Sequence, residues 1–193
     1  MLKPQDIMLL LKIFSKITLV KSKPDTLLSQ NELALQLCMS VSEVNMGIKR
    51  LHMSALLGQV REDRSQKKNV FVPIKAACEE CLISGVKYFF PVKLGAYTRG
   101  IPTSYAAPIF EKHFLIGNDP IPVWPYAEEN HRGLALERGL ALEPLYRSVP
   151  YSLGKYPDRL FYELLALVDV IRSGRARERN IAIELLKERM NYE

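Results

Sequence analysis

The stretch Ser29-Gln30-Asn31-Glu32-Leu33-Ala34-Leu35-Gln36-Leu37-Cys38-Met39-Ser40-Val41-Ser42-Glu43 holds two helix starts eleven positions apart. In each start a serine stands three places before a glutamate. The serine oxygen can accept the amide of the third residue, and the glutamate carboxylate can return the bond to the serine amide. Leu33, Ala34 and Leu37 supply an apolar face for the first helix. The interval leaves room for a two-turn helix, a tight turn and a new helix, which is the plan of a helix-turn-helix.

The second helix is expected from Val41 to about Met53. At about 100° per residue, Ile48 and Leu51 fall within roughly 40° of Val44, and the three form its buried side. Ser42, Asn45, Met46 and Lys49 lie roughly 100–200° away, with Glu43 and Arg50 on the flank. Asn can pair bidentately with adenine, Met can touch a thymine methyl, and Ser and Lys can take phosphate or base edges. Ser40 at the cap and Arg50 at the flank complete the expected contacts on this helix. The competing reading is an ordinary amphipathic helix with a solvated outer face.

Downstream, Gln59-Val60-Arg61-Glu62 and Asn69-Val70-Phe71-Val72-Pro73 read as two short strands around a polar tip. That is a β-hairpin, or wing, whose Arg64, Lys67 and Lys68 would meet phosphates or the minor groove. Residues 1–75 carry 12 Lys and Arg against 6 Asp and Glu, whereas residues 76–193 carry 15 of each. The whole excess of +6 therefore sits in the first segment, which suits a polyanion partner there.

Upstream, Pro4 suits a first helical turn, and Ile7, Leu10, Leu11, Phe14 and Ile17 follow helical spacing. Past the hairpin, residues 76–90 predict a helix with Cys78, Cys81, Leu82 and Val86 inward. Nine prolines punctuate residues 91–157, so short strands or ordered loops are expected, with a strand around Pro122-Val123-Trp124-Pro125 and a structured loop at Tyr97 to Thr103. Within this region Arg132-Gly133-Leu134-Ala135-Leu136-Glu137 recurs at once as Arg138-Gly139-Leu140-Ala141-Leu142-Glu143. A single adjacent copy is a local duplication, since repeat architectures need three or more units. If one copy fits the core, the other must bulge out or lengthen a helix. Two further helices follow, one through Leu160, Leu164, Leu167, Val168 and Ile171, the other through Ile181, Leu185, Leu186 and Met190, with Gly174 between them.

The expected fold is α+β, mostly α: a winged helix-turn-helix in residues 1–75, then a proline-punctuated segment and a C-terminal helical pair in residues 76–193. The second part is assigned to dimerisation or to binding a partner or ligand. No apolar run approaches the roughly 20 residues of a membrane-spanning helix, and residues 1–4 do not begin a secretory signal. Three cysteines make a poor disulfide framework, so a cytoplasmic protein is expected.

Residues 29–37, the Cys38-Met39-Ser40 turn, and Val44 with Ile48-Lys49-Arg50-Leu51 resemble MarR-type winged-helix repressors. The resemblance covers about the first 75 to 90 residues. It implies homodimers on palindromic double-stranded DNA, with helices outside the DNA-reading unit forming the interface. That family usually has Gly where Cys38 stands and a small residue such as Ala where Gly47 stands. Cys38 is therefore expected to strain the turn, and Gly47 to weaken the helix by about 1 kcal/mol relative to Ala. The residues beyond, with Thr98 to Thr103 and Leu142 to Tyr146, resemble extensions of bacterial helix-turn-helix regulators and imply no activity.

Cys78 and Cys81 have zinc-like spacing, but a closed site needs four ligands, and Cys38, His52, His113 and His131 form no second pair. No metal, cofactor or catalytic residue is expected, because no phosphate loop, nucleophile elbow or His-Glu-x-x-His pattern occurs. Two readings of function follow. The first is a sequence-specific regulator, acting as a repressor. The second is an antitoxin-like or defence-operon regulator whose C-terminal half binds a partner protein. A small-molecule effector is a further expectation for that half.

Overall fold

The computed structural model describes residues 1–19, 29–61, 69–128 and 133–191. The architecture is α+β and mostly helical. Helix α1 (Pro4–Leu19) opens with Pro4, and Asp6 accepts the Lys3 amide at 2.8 Å. The apolar spacing predicts one inward face, yet every residue from Asp6 to Ser15 is buried. A helix buried all round must pack on more than one neighbour. Here α1 packs against both α3 (Val41–Met53) and α7 (Arg159–Ser173).

That burial encloses the Lys12 ammonium, which lies 2.9 Å from Asp158 and over the Phe161 ring. Asp158 is the N-cap of α7, accepting the Phe161 amide at 3.1 Å, the Ser15 hydroxyl at 3.0 Å and the Lys16 ammonium at 3.0 Å. Burial works to raise this carboxyl. The ammonium of Lys12, the Phe161 amide and Lys16 outweigh it and hold Asp158 at about 2.

Helix α2 (Gln30–Leu37) precedes α3, and strands β1 (Leu57–Arg61) and β2 (Asn69–Pro73) follow it, antiparallel with Leu57 opposite Pro73 and Arg61 opposite Asn69. Helix α4 (Lys75–Glu80), a π-helical turn at Cys81–Gly85 and α5 (Val86–Phe89) then form one helical run, burying Cys78, Leu82 and Val86. Cys81 is half-buried.

The proline-punctuated part holds β3 (Leu94–Pro102), β4 (Ile121–Pro125) and β5 (Glu137–Leu142). Strand β3 pairs antiparallel with both others, and β4 pairs parallel with β5, so the three close on themselves. Two glycines permit that closure. A Cβ on Gly100 would stand 1.9 Å from the Trp124 carbonyl oxygen, and one on Gly139 would stand 2.0 Å from that of Ile121. Tyr97 to Thr103, expected as a structured loop, is therefore mostly strand: its partners come from 21 to 43 residues downstream, beyond any local pattern. The second copy of the duplicated hexapeptide supplies β5 from Arg138 to Leu142. Of the first, Gly133 has φ +81° and open space around it, and Leu134 and Leu136 pack on the rim of the core.

Helix α6 (Val149–Lys155) precedes α7, and α8 (Ala176–Met190) packs on α7. The closed strands are fastened to α7 through Asp169, whose carboxylate is buried. It accepts the Thr103 hydroxyl at 2.9 Å, the Trp124 indole N–H at 2.7 Å and the Arg172 guanidinium at 2.7 Å. Arg172 also donates to the Phe90 carbonyl at 2.7 Å. One hydrophobic cluster runs from Ile7 to Met190. Across the expected boundary at residue 75, α1 rests on α7 and α2 on α6. Among the described residues no helix is long and apolar enough to cross a membrane.

Candidate nucleic-acid interface

Both capping boxes form as the serine–glutamate spacing requires. Ser29 accepts the Glu32 amide at 3.2 Å and donates its own to Glu32 at 2.8 Å; Ser40 and Glu43 repeat this at 3.2 and 2.9 Å. Between them Cys38 takes the left-handed conformation, φ 52° and ψ 45°, and the Met39 amide reaches back to the Ala34 carbonyl at 2.9 Å. A cap of that kind favours glycine. Cys38 carries a Cβ there at a cost of roughly 1 kcal/mol. The expected strain is thus located in one backbone torsion.

Helix α3 buries Val44, Gly47, Ile48 and Leu51. Gly47 is more than a weak helix former. A Cβ there would stand 2.8 Å from Leu9 Cδ2 and 3.2 Å from an Asp6 oxygen, so α1 comes close at this point. Ser42, Met46, Lys49 and Met53 face outward, Met46 at 47% and Met53 at 84% exposure. Asn45 is half-buried and its amide donates to Gln30 of α2 at 3.0 Å, which fixes its orientation. His52 sets the hairpin against α3, with Nδ1 2.9 Å from the Leu57 carbonyl and its ring edge-on to Phe71.

Two of the expected contact residues are engaged within the chain. Arg50 turns inward and grips Asp6 with two bonds of 2.7 Å, leaving its side chain only 16% exposed. An uncompensated carboxylate at Asp6, fully buried, would cost far more than a surface contact returns. Ser40 remains at the surface, but its hydroxyl accepts the Glu43 amide and donates to the Glu43 carboxylate at 2.8 Å. Arg64, Lys67 and Lys68 lie outside the described residues.

Tyr146 was not among the expected participants. Its hydroxyl donates to Glu43 Oε1 at 2.6 Å. Bonds from Tyr146 and then Ser40 hold the Glu43 carboxyl below its ordinary value. Ser152 of α6 donates to the Gln36 carbonyl at 2.6 Å, so the C-terminal part clasps both helices of the pair. A Leu142-to-Tyr146 phrase marks this segment in the sequence, though nothing local ties it to Glu43.

Cys78 donates its thiol hydrogen to the Leu56 carbonyl at 3.2 Å, and burial, reinforced by Cys81, pushes that thiol up to about 12. This is a packing role. Among the described residues no group of three or more His, Cys, Asp or Glu converges to hold a metal ion. In comparisons with protein-family models, curated proteins and solved structures, the chain matches none.

Proposed function

We propose that this chain is a double-stranded DNA-binding transcriptional regulator in which α2 and α3 form a helix-turn-helix and β1–β2 its wing. The observation that carries the reading is the outer face of α3: Ser42, Met46 and Lys49 project outward from a helix whose other sides are packed, with Asn45 held beside them. A helix about 13 residues long with a polar, partly basic free face is what the major groove admits. The basic excess of residues 1–75 supplies the phosphate attraction.

The MarR-type likeness of residues 29–51 adds repression by a homodimer on a palindromic site. Large side chains exposed on α5 and β3, Tyr88, Phe89, Leu94 and Tyr97, favour a subunit contact in the C-terminal part. They serve equally a partner protein, as in an antitoxin-like regulator. A cavity of about 440 Å³ bordered by Pro108, Leu134, Leu153, Pro157 and Tyr162 is large enough for a small effector.

The test is a mobility-shift titration of the full chain on DNA from its own promoter region. Asn45→Ala with Lys49→Ala should abolish the specific complex while circular dichroism stays unchanged. Unaltered affinity in that double variant sinks the reading.

A further inference from the structure

We infer that the DNA-reading surface extends beyond the helix-turn-helix onto the C-terminal part, where Arg147, Tyr151 and Lys155 form a ridge that grips the sugar-phosphate backbone beside the groove. The inference rests on the DNA-binding reading above and concerns which residues carry it.

These three residues are exposed and spaced four apart, one in the turn before α6 and two along that helix. Residues at that spacing share a face. The opposite face, with Val149, Pro150 and Leu153, is buried. The ridge is therefore the outward side of an element whose inward side is anchored in the core.

Its place beside α3 is set by direct bonds. Tyr146, immediately before Arg147, touches Glu43 in the first turn of α3, and Ser152 touches Gln36 at the end of α2. Arg147 lies close enough to Glu43 to help hold its carboxyl down, and Lys155 similarly favours the Cys38 thiolate against the stronger opposing effect of burial. The ridge thus runs along the turn joining the two helices. Glu43 projects roughly 60–100° round α3 from Met46 and Ser42, so the ridge borders the outward face of that helix.

The chemistry suits phosphate. The Arg147 guanidinium lies 5.8 Å from the centre of the Tyr146 ring. A guanidinium beside an aromatic ring can still offer N–H donors to phosphate oxygens. Lys155 is 51% exposed and 4.0 Å from Glu128, itself 42% exposed. Such a loose surface pair contributes little, so a phosphate can replace it. Tyr151 stands edge-on to Tyr126, 5.6 Å between rings. The Glu43 carboxylate bordering the ridge is already bonded by Ser40 and Tyr146.

The experiment is fluorescence anisotropy with the full-length protein and a labelled duplex of arbitrary sequence, about three helical turns long, across a salt series. Arg147→Ala with Lys155→Ala should weaken binding about tenfold and flatten the slope of log K against log salt by about 2, since each neutralised phosphate contributes about 0.9. Lys49→Ala serves as the reference, flattening it by about 1. Arg147→Lys with Lys155→Arg should restore the wild-type slope, and Glu128→Gln should tighten binding about twofold by releasing Lys155. If Lys49→Ala weakens binding while the Arg147/Lys155 double variant leaves affinity and slope unchanged, the ridge is overturned and the helix-turn-helix reading stands. If the wild-type protein fails to bind duplex even at low salt, both fall together. Circular dichroism of each variant separates lost contacts from lost folding.

Discussion

The Tyr146 phenol donates a 2.6 Å hydrogen bond to Oε1 of Glu43, joining residues 103 positions apart in the chain. Glu43 is also the residue that closes the capping box of α3. One carboxylate therefore both starts the helix with the outward Ser42, Met46 and Lys49 face and ties it to the segment leading into α6.

Tyr146→Phe removes that tie and leaves the cap. It should cost about 1 kcal/mol in urea unfolding near neutral pH. Because bonding depresses the Glu43 carboxyl in the folded protein, the contribution is present above the ordinary carboxylate value and is lost as pH falls through the lowered one. The gap between variant and wild type should therefore close in acid. A gap that persists there would mean the hydroxyl acts through packing.

Lys12→Met tests the buried pair beneath α7. Removing one partner of a buried pair should cost about 3 kcal/mol near neutral pH. In the wild type, Asp158 at about 2 against an ordinary 3.8 stabilises the fold fully above that ordinary value and loses its contribution as pH drops toward 2. The variant should show a shallower loss across that window in a series of unfolding midpoints. Equal slopes would exclude Lys12 as the main partner.

The duplicated hexapeptide offers a paired comparison. Gly139→Ala forces a Cβ onto the Ile121 carbonyl and should cost more than about 3 kcal/mol, or prevent folding. Gly133→Ala meets no atom within 4 Å and bears only its positive φ, a cost of about 1 kcal/mol. Thermal unfolding of both proteins decides this. Equal midpoints would mean that the copies are interchangeable.

Asp169→Asn replaces an acceptor-only carboxylate with an amide that must turn its NH₂ toward one set of donors, either Trp124 with Thr103 or Arg172. It also leaves Arg172 buried without its counter-charge. A loss of about 3–5 kcal/mol is expected, followed through the emission of Trp124, the single tryptophan and nearly fully buried. An unshifted midpoint would show that Arg172 finds enough in the Phe90 carbonyl.

Much of the candidate site was legible in residues 29–53 because its signals are local. A serine and a glutamate three apart close their box within one turn, and 100° per residue turns a list of positions into faces. Ser42, Met46 and Lys49 thereby fall outward and Val44, Ile48 and Leu51 inward, as in the structure. No local signal ties Arg50 to Asp6, 44 residues earlier, or Asn45 to Gln30. Angular position says which way a side chain leaves its helix, whereas its partner depends on which element packs alongside.

The sequence by itself determined the helix starts, the close succession of α2 and α3, the basic first segment and the C-terminal helices, because capping, periodicity and charge act over one to four residues. Only the tertiary structure decided that α1 is buried all round and carries Lys12 inside. The choice between the two identical Arg-Gly-Leu-Ala-Leu-Glu copies was decided there as well. Identical hexapeptides have identical local preferences, so the assignment falls to the neighbours: Gly139 meets the Ile121 carbonyl where only hydrogen fits, and Gly133 meets open space. The Tyr146–Glu43 bond belongs to the same class, a contact created when distant segments share one core.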